Sequence, residues 1–244
     1  MFSAGRTRVV HWVAAAVTAL AATSVFSGGT ASAEGPAVLG GGSGLYIETS
    51  EPDTVSECTL TAIGFDRDNK LVGLTAGHCG EIGMRVAAEY SPKSGVVGKV
   101  AAKSVDNDWA VIELDPARVS PTRQVAQSVI AGIGAPPKVG DIVCKNGRTT
   151  GFTCGPAWET KQAWFRSQVC ANHGDSGAPV LMGDKLVGMV VAGSDFKAGP
   201  ITVPLPLCSG GGDLLHQPEL STTMALVLAD IDRQGGIGAG FRPF

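Results

Sequence analysis

The chain has 244 residues, of which 17 % are charged, and its formal net charge is −3. A mildly acidic chain without a lysine or arginine cluster is not typical of proteins that bind nucleic acid or anionic membranes. The length allows a full hydrophobic core in one or two small domains. The 34 glycines indicate many tight turns between short strands.

The first 33 residues have the layout of a secretory signal peptide. Arg6 and Arg8 precede an apolar stretch over about 9–26, and a small-residue cleavage site, A-S-A, ends at Ala33. The alternative is a single transmembrane anchor, but the apolar stretch is short, rich in alanine and interrupted by polar residues. We therefore expect export, cleavage after Ala33 and a monomer outside the cytoplasm, extracellular or in the cell envelope, with no membrane association after cleavage.

Short strand-like segments rich in β-branched residues dominate the rest of the chain, and turn residues bound most of them. The predicted strands are 45–49, 59–65, 70–75, 85–90, 96–101, 109–114, 142–145, 163–169, 179–182 and 185–192. The segment 115–128 separates them into two groups, which predicts two all-β units. After Pro218 the apolar residues recur at helical spacing until Gly235, which predicts a terminal helix over 219–234.

A serine lies within the glycine-flanked turn G-D-S-G at 174–177. A serine hydroxyl is a weak nucleophile until a base takes its proton and a third group orients that base. His78 is the candidate base because it directly follows a predicted strand. Asp108, immediately before another strand, is the candidate orienting acid, whereas Asp106 lies further out in the turn.

The remaining histidines and the cysteines are given other roles. His11 leaves with the signal peptide, His173 is interpreted as a residue at a pocket rim, and His216 as an ordinary satisfied histidine. The six cysteines of an exported chain predict three disulfides, with 15 possible pairings. The histidines are scattered and neither C-x-x-C nor H-E-x-x-H occurs, so we expect no metal and no cofactor.

The motifs T-A-G-H-C ending at Cys79, N-D before an apolar strand and G-D-S-G occur in this order. Two further blocks are C-K-N-G-R-T-T-G-F-T-C-G from Cys144 and C-S-G-G-G-D-L-L-H-Q-P from Cys208. Together they resemble the chymotrypsin-type serine proteases, most closely the secreted bacterial branch of streptogrisins and α-lytic protease, over 39–234. An α/β-hydrolase needs G-x-S-x-G and the order Ser, acid, His. Position 178 is Ala178 and the order here is His, Asp, Ser, so that alternative fails.

The resemblance implies two packed six-stranded antiparallel β-barrels followed by an α-helix, and a serine endopeptidase that acts on polypeptides through an acyl-enzyme intermediate. It implies Ser176 as the nucleophile, His78 as the base, Asp108 as the orienting acid, and the N–H groups of Gly174 and Ser176 as the oxyanion hole. The implied disulfides are Cys58–Cys79, Cys144–Cys154 and Cys170–Cys208. The expected organisation is a signal peptide at 1–33, barrels at 34–120 and 121–218, and a helix with a tail at 219–244.

The resemblance also implies a specificity pocket formed by Gln168, Val169, Val191 and Gly193. Gln168 is expected at the pocket floor, and its neutral amide predicts an uncharged, small-to-medium residue before the cleaved bond. Asp213 is the alternative, since it would attract a cation. Val191 stands where relatives usually carry a serine that supports the catalytic acid.

Asp175, inside the nucleophile turn, is expected to be buried and to need a partner. The bacterial relatives use an arginine directly after the first cysteine of the 144–154 block, where this chain has Lys145, with Arg148 as an alternative donor. This predicts activity without any cut beyond removal of the signal peptide. Two other functions stay open, a secreted binding or scaffold protein with little or no turnover, and a sensor tethered to a membrane through 9–26.

Overall fold

The structure is a computed structural model that describes residues 35–194, 196–198, 201–210, 212–213 and 215–244. The predicted signal peptide, and with it the alternative membrane anchor, lies outside the described residues. Within the described ranges, no helix is both long and apolar enough to cross a membrane.

Short strands are the main secondary structure of the described chain. In chain order they are β1 Ala37–Leu39, β2 Gly44–Glu48, β3 Val55–Thr59, β4 Ala62–Phe65, β5 Leu71–Ala76, β6 Arg85–Ala88, β7 Val96–Ser104, β8 Trp109–Leu114, β9 Val119–Pro121, β10 Gln124–Val125, β11 Ser128–Val129, β12 Gly132–Ile133, β13 Ile142–Gly147, β14 Gly151–Thr160, β15 Trp164–Ser167, β16 Pro179–Met182, β17 Lys185–Gly193, β18 Phe196–Ala198, β19 Ile201–Val203, β20 Glu219–Thr223 and β21 Arg242–Pro243. One α-helix, α1, covers Met224–Gln234, and 3₁₀-helices cover Gly77–Cys79 and Pro92–Ser94.

Two large sheets organise these strands. The N-terminal sheet has the order β21-β4-β5-β8-β7-β6-β2-β3, and the C-terminal sheet has the order β12-β17-β16-β13-β14-β15-β20. β17 also pairs with β20, so six strands of the C-terminal sheet form a closed ring. The predicted all-β class, with two barrels and a C-terminal helix, is confirmed.

The core continues from one barrel into the other. Leu74 and Trp109 of the N-terminal sheet share one buried apolar cluster with Leu181 and Met189 of the C-terminal sheet, and α1 contributes Met224 to it. This shared core fixes the position of the loops along its edge, where strands of both barrels end.

The helix begins later than its apolar spacing predicts, so the predicted start at residue 219 is wrong. Residues 219–223 form β20, which pairs with β15 on one side and β17 on the other. α1 begins at Met224, with the side chain of Thr223 accepting a hydrogen bond from the Leu226 N–H as an N-cap. As a strand, β20 has hydrogen-bond partners for its backbone N–H and C=O groups on both edges. A helix at these residues would leave the facing edges of β15 and β17 unpaired.

Several other elements differ from the sequence-based expectation. Of the predicted strand 59–65, Thr59 is the last residue of β3 and residues 62–65 form β4. β14 was missed because its glycines and proline obscure the alternating pattern. The C-terminal residues are not a free tail, since β21 pairs with β4 of the N-terminal sheet. The three disulfides are those that the resemblance implies.

Candidate active site

His78, Asp108 and Ser176 meet where the two barrels join. The Nδ1 atom of His78 lies 2.8 Å from Asp108 Oδ2, and its Nε2 atom lies 2.8 Å from Ser176 Oγ. Asp108 Oδ1 also accepts the backbone N–H of His78 at 2.7 Å. The carboxylate thus holds both the backbone and the ring of His78, and the ring bridges to the hydroxyl, which is the arrangement that activates a serine.

The turn before β8 gives Asp108 an unusual backbone conformation. Asp108 has a φ of 48°, a left-handed value that aspartate tolerates better than most residues. The next residue, Trp109, is buried, and its indole Nε1 donates to Asp230 of α1 at 2.9 Å. Asn107 Nδ2 donates to the same carboxylate oxygen at 2.7 Å. Asp230 therefore holds both neighbours of Asp108.

Threonines of the N-terminal barrel hold the turn that carries Ser176. Thr59 donates two hydrogen bonds to this turn. Its N–H donates to the Ser176 carbonyl at 2.8 Å, and its Oγ1 donates to the Gly174 carbonyl at 2.9 Å. Thr61 Oγ1 donates to the Gly177 carbonyl at 2.6 Å. A Cβ atom on Gly177 would lie 2.3 Å from the Thr59 carbonyl oxygen, so only glycine allows this approach.

The same turn contains two backbone N–H groups, those of Gly174 and Ser176, that are not engaged in hydrogen bonds of the described turn. Thr149 Oγ1 donates to the His173 carbonyl at 2.7 Å. Because the peptide unit is planar and trans, the N–H of Gly174 points to the opposite side. Among the described backbone hydrogen bonds, neither the Gly174 N–H nor the Ser176 N–H has an acceptor. Both are therefore available to a developing oxyanion.

Asp175 is fully buried behind the turn and accepts five hydrogen bonds. The donors are Lys145 Nζ at 3.3 Å, the N–H groups of Thr149, Thr150 and Asn172, and the Thr150 hydroxyl. Lys145 is also fully buried. Burial lowers the pKa of Lys145, and the adjacent Asp175 opposes that shift. The carboxylate of Asp175 therefore has a counter-ion inside the fold.

Arg148, the alternative donor, binds other acids. It pairs with Glu89 and with Glu57, the latter at 2.7 Å. The hydrogen bonds that Arg148 donates to Glu89, together with the charges of the two acids, raise the pKa of Arg148 above its usual value, although burial opposes this. Arg148 directly follows β13 of the C-terminal barrel, and Glu57 in β3 and Glu89 after β6 belong to the N-terminal barrel, so these ion pairs join the two barrels. The cation that pairs with Asp175 is Lys145.

Comparison with known proteins agrees with this arrangement. The family model described as Trypsin matches residues 53–208, which is more than half of the chain. The chain belongs to the trypsin family. The family agrees with the one that its motifs resemble.

Individual relatives are more distant. Streptogrisin-C of Streptomyces griseus is 27 % identical over 174 residues, which cover 66 % of this chain and 35 % of that protein. The chain thus spans about a third of the length of this curated relative. A Nocardiopsis protease has a TM-score of 0.62 at 20 % identity, covering 80 % of this chain and 96 % of its own. Cellulomonas bogoriensis chymotrypsin has a TM-score of 0.60 at 24 % identity, covering 85 % and 99 %. The two structures show the fold.

The cavity beside the serine of this trypsin-family protein differs from the pocket expected from the sequence. Val191 and Gly193 line it together with Ser176, and the exposed His173 lies at its edge. Glu219, which the sequence analysis missed, lines it as well.

Gln168 and Val169 lie elsewhere, so the expectation that they form the pocket is wrong. Val169 is buried within the core of the C-terminal barrel. Gln168 lines a separate cavity with Asp213 and His216, and its Nε2 donates to the His216 carbonyl at 3.0 Å. The Gln168 side chain is also held there by Trp158, whose Nε1 donates to its Oε1 at 3.0 Å, and motif spacing does not reveal these partners.

Asp230→Ala is expected to destabilise the fold by about 1–3 kcal/mol, because it leaves the buried indole N–H of Trp109 without an acceptor. Turnover should fall as well, since the Asp108 turn loses its support. The bonds from Asn107 and Trp109 lower the pKa of Asp230. The ionised carboxylate of Asp230 therefore adds to the free energy of unfolding above its unfolded-state pKa of about 3.9. This stabilisation is lost as the pH falls through the lower folded-state pKa.

The measurement is urea unfolding of wild type and Asp230→Ala at pH 7 and at pH 3, with kcat/KM at pH 7. Gln234→Ala, at an exposed position of the same helix, is the control and should change neither quantity. Equal stability of Asp230→Ala and wild type at pH 7 would show that Asp230 does not support this turn.

Proposed function

We propose that this protein is an exported serine endopeptidase that hydrolyses peptide bonds through an acyl-enzyme intermediate. Ser176 Oγ attacks the carbonyl carbon while His78 Nε2 takes its proton, and the bond to Asp108 stabilises the imidazolium that results. The N–H groups of Gly174 and Ser176 bind the oxyanion. His78 then gives the proton to the leaving amine, and water releases the acyl group by the same steps in reverse order.

The observation that carries this proposal is the unbroken hydrogen-bonded path from Asp108 through His78 to Ser176, with both side-chain distances at 2.8 Å. A protein that only binds peptides has no need of a base and an acid aligned on a serine. Three disulfides are consistent with an oxidising compartment, which supports export. The proposed organisation is that of the sequence analysis, with His78 and Asp108 on the N-terminal barrel and Ser176 on the C-terminal one.

A peptidyl phosphonate with a neutral side chain tests this function, because it reacts with an activated serine. We expect the purified protein to be labelled at Ser176, Ser176→Ala to remain unlabelled, and the control Ser209→Ala to be labelled like the wild type. N-terminal sequencing of protein from the culture medium should begin after Ala33. A folded protein that no phosphonate labels would instead be a secreted binding or scaffold protein.

A further inference from the structure

The cavity beside Ser176 contains a buried acid that the proposed mechanism does not use. Glu219 lines this cavity, whose volume is about 240 Å³, together with Ser176. Glu219 is only 4 % exposed, and its Oε1 atom accepts no hydrogen bond from the described residues. Burying a polar group without a partner is costly, so this carboxyl calls for an explanation beyond packing.

The strand register gives the Glu219 side chain access to the cavity. Glu219 lies directly across from Gly193 of β17, and directly paired residues direct their side chains to the same face of a sheet. Gly193, Glu219 and Gln217 all line the cavity. A Cβ atom on Gly193 would lie 2.7 Å from Gln217 Oε1, so a second oxygen acceptor lies at the same wall.

Lys145, the cation whose charge acts on Glu219, donates its hydrogen bonds to other acceptors. Lys145 Nζ donates to Thr150 Oγ1, to the Gly151 carbonyl and to Asp175 Oδ2. An ammonium group has three N–H donors, so Lys145 has none left for Glu219. Within the described structure, the carboxyl therefore has an acceptor oxygen without a donor.

The electrostatic environment of Glu219 favours its protonated form as long as no cation lies in the cavity. Burial, and next the negative charge of Asp175, raise the pKa of Glu219 well above its usual value. Lys145 and the N–H of Ala192 oppose this rise without cancelling it. A positive charge brought into the cavity would favour the ionised carboxyl.

We propose that Glu219 determines specificity by pairing with the ammonium or guanidinium group of a lysine or arginine side chain that precedes the cleaved bond. The proposal rests on the proposed function. A basic side chain supplies both the charge and the N–H donors that Glu219 lacks, and charge-assisted hydrogen bonds of this kind are strong. It replaces the expectation of an uncharged residue, which depended on Gln168.

Matched fluorogenic peptides that differ only in one residue before the cleaved bond, lysine, arginine, glutamine or glutamate, provide the test. For the wild type at pH 8, kcat/KM for lysine or arginine should exceed that for glutamine by about 30-fold or more, the scale of a buried charge pair that loses one partner. Glu219→Gln should reduce this ratio by a similar factor. Asp213→Asn, which changes the acid of the separate cavity, should leave the ratio as it is.

The ratio of lysine to glutamine cleavage has its own pH signature. It should rise with pH between 5 and 9 in the wild type, because Glu219 must ionise, and stay flat in Glu219→Gln. His78 and His173 line the same cavity, and the Lys145–Asp175 pair lies behind it. Protonation of His78 affects both substrates alike and cancels in the ratio, and the other groups are unchanged in the variant.

A stability measurement shows whether Glu219→Gln folds and whether its site is intact. A raised folded-state pKa means that ionising Glu219 costs stability as the pH rises above its unfolded value of about 4.3. Glu219→Gln should therefore unfold at a higher temperature than the wild type at pH 9, with a smaller difference at pH 4.

The outcomes separate this inference from the proposed function. If the neutral phosphonate labels the wild type but glutamine or glutamate is preferred, or if a preference for lysine and arginine survives in Glu219→Gln, then Glu219 does not set specificity. If the phosphonate labels nothing, the proposed function itself fails. Glu219→Asp, which keeps the charge and shortens the side chain, should keep part of the preference, and its complete loss of preference in a labelled protein would also contradict charge pairing.

Discussion

Replacing Ser176 by alanine is expected to lower peptide turnover about 10⁵- to 10⁶-fold, and replacing His78 by alanine should lower it by a similar factor. The two groups act as one unit, since the hydroxyl attacks only when the imidazole takes its proton. The Nε2–Oγ distance of 2.8 Å already places them within hydrogen-bond reach. The double variant should therefore be hardly slower than either single variant.

The measurement is kcat/KM on a peptide of defined sequence, with product identified by mass spectrometry. Ser209→Ala controls for loss of a serine at an exposed position, and all variants should unfold near the wild-type temperature. If Ser176→Ala turned over within tenfold of the wild type, another group would be the nucleophile, and the triad proposed for this protein would be incorrect.

Replacing Lys145 by methionine is expected to lower the free energy of unfolding by about 3–5 kcal/mol, because it leaves Asp175 as a buried charge without a counter-ion. Both side chains are fully buried, so water cannot take the place of the ammonium group. Four hydrogen bonds to Asp175 remain, from Thr149, Thr150 and Asn172. The turn should thus still form, but less firmly, and turnover should fall because the oxyanion donors belong to it.

Urea unfolding and kcat/KM, compared with the exposed-site control Lys138→Met, provide the measurement. If Lys145→Met changed neither the free energy of unfolding nor kcat/KM, Lys145 would not be the internal partner of Asp175. If activity also appeared only after a new N-terminus formed near Leu39, activation by cleavage would replace the internal partner. The described structure pairs the residues at Ala37–Leu39 with β9, and they make none of the hydrogen bonds to Asp175.

The residues of the catalytic path were accessible to sequence reasoning because each lies in a short local pattern. His78 follows a strand, Asp108 precedes one, and Ser176 lies in a glycine turn, so each local conformation can be inferred from a few neighbours. Lys145 was found through the family resemblance, because it lies directly after Cys144, where the bacterial relatives carry an arginine. In the structure His78 contacts Asp108 and Ser176, and Lys145 contacts Asp175.

The supporting residues were not accessible in that way. Asp230 holds Trp109 and Asn107 across a separation of more than 120 residues, and Thr59 holds the nucleophile turn across 115. Nothing in the residues around Asp230 distinguishes it from an ordinary helix acid. Its role depends on where the helix packs, and that depends on the core shared by both barrels.

Segment 219–234 shows the same limit within one element. Its apolar spacing is helical from Leu220 onward, yet residues 219–222 pair with β15 on one edge and with β17 on the other. Local preference was overridden because two strands distant in sequence offered hydrogen-bond partners. This matters for the active site, because Glu219 lies across from Gly193 only when it is part of a strand.

The sequence by itself determined the all-β class, the pairing of barrels through its family motifs, and the residues that align on Ser176. The tertiary structure alone decided which side chains line the cavity, by placing Glu219 in it and Gln168 outside it. The physical reason is that turn and strand patterns report local conformation and the face on which a side chain lies. Burial and electrostatic environment arise from strands far apart in the chain, and these decide what a carboxyl such as Glu219 can bind.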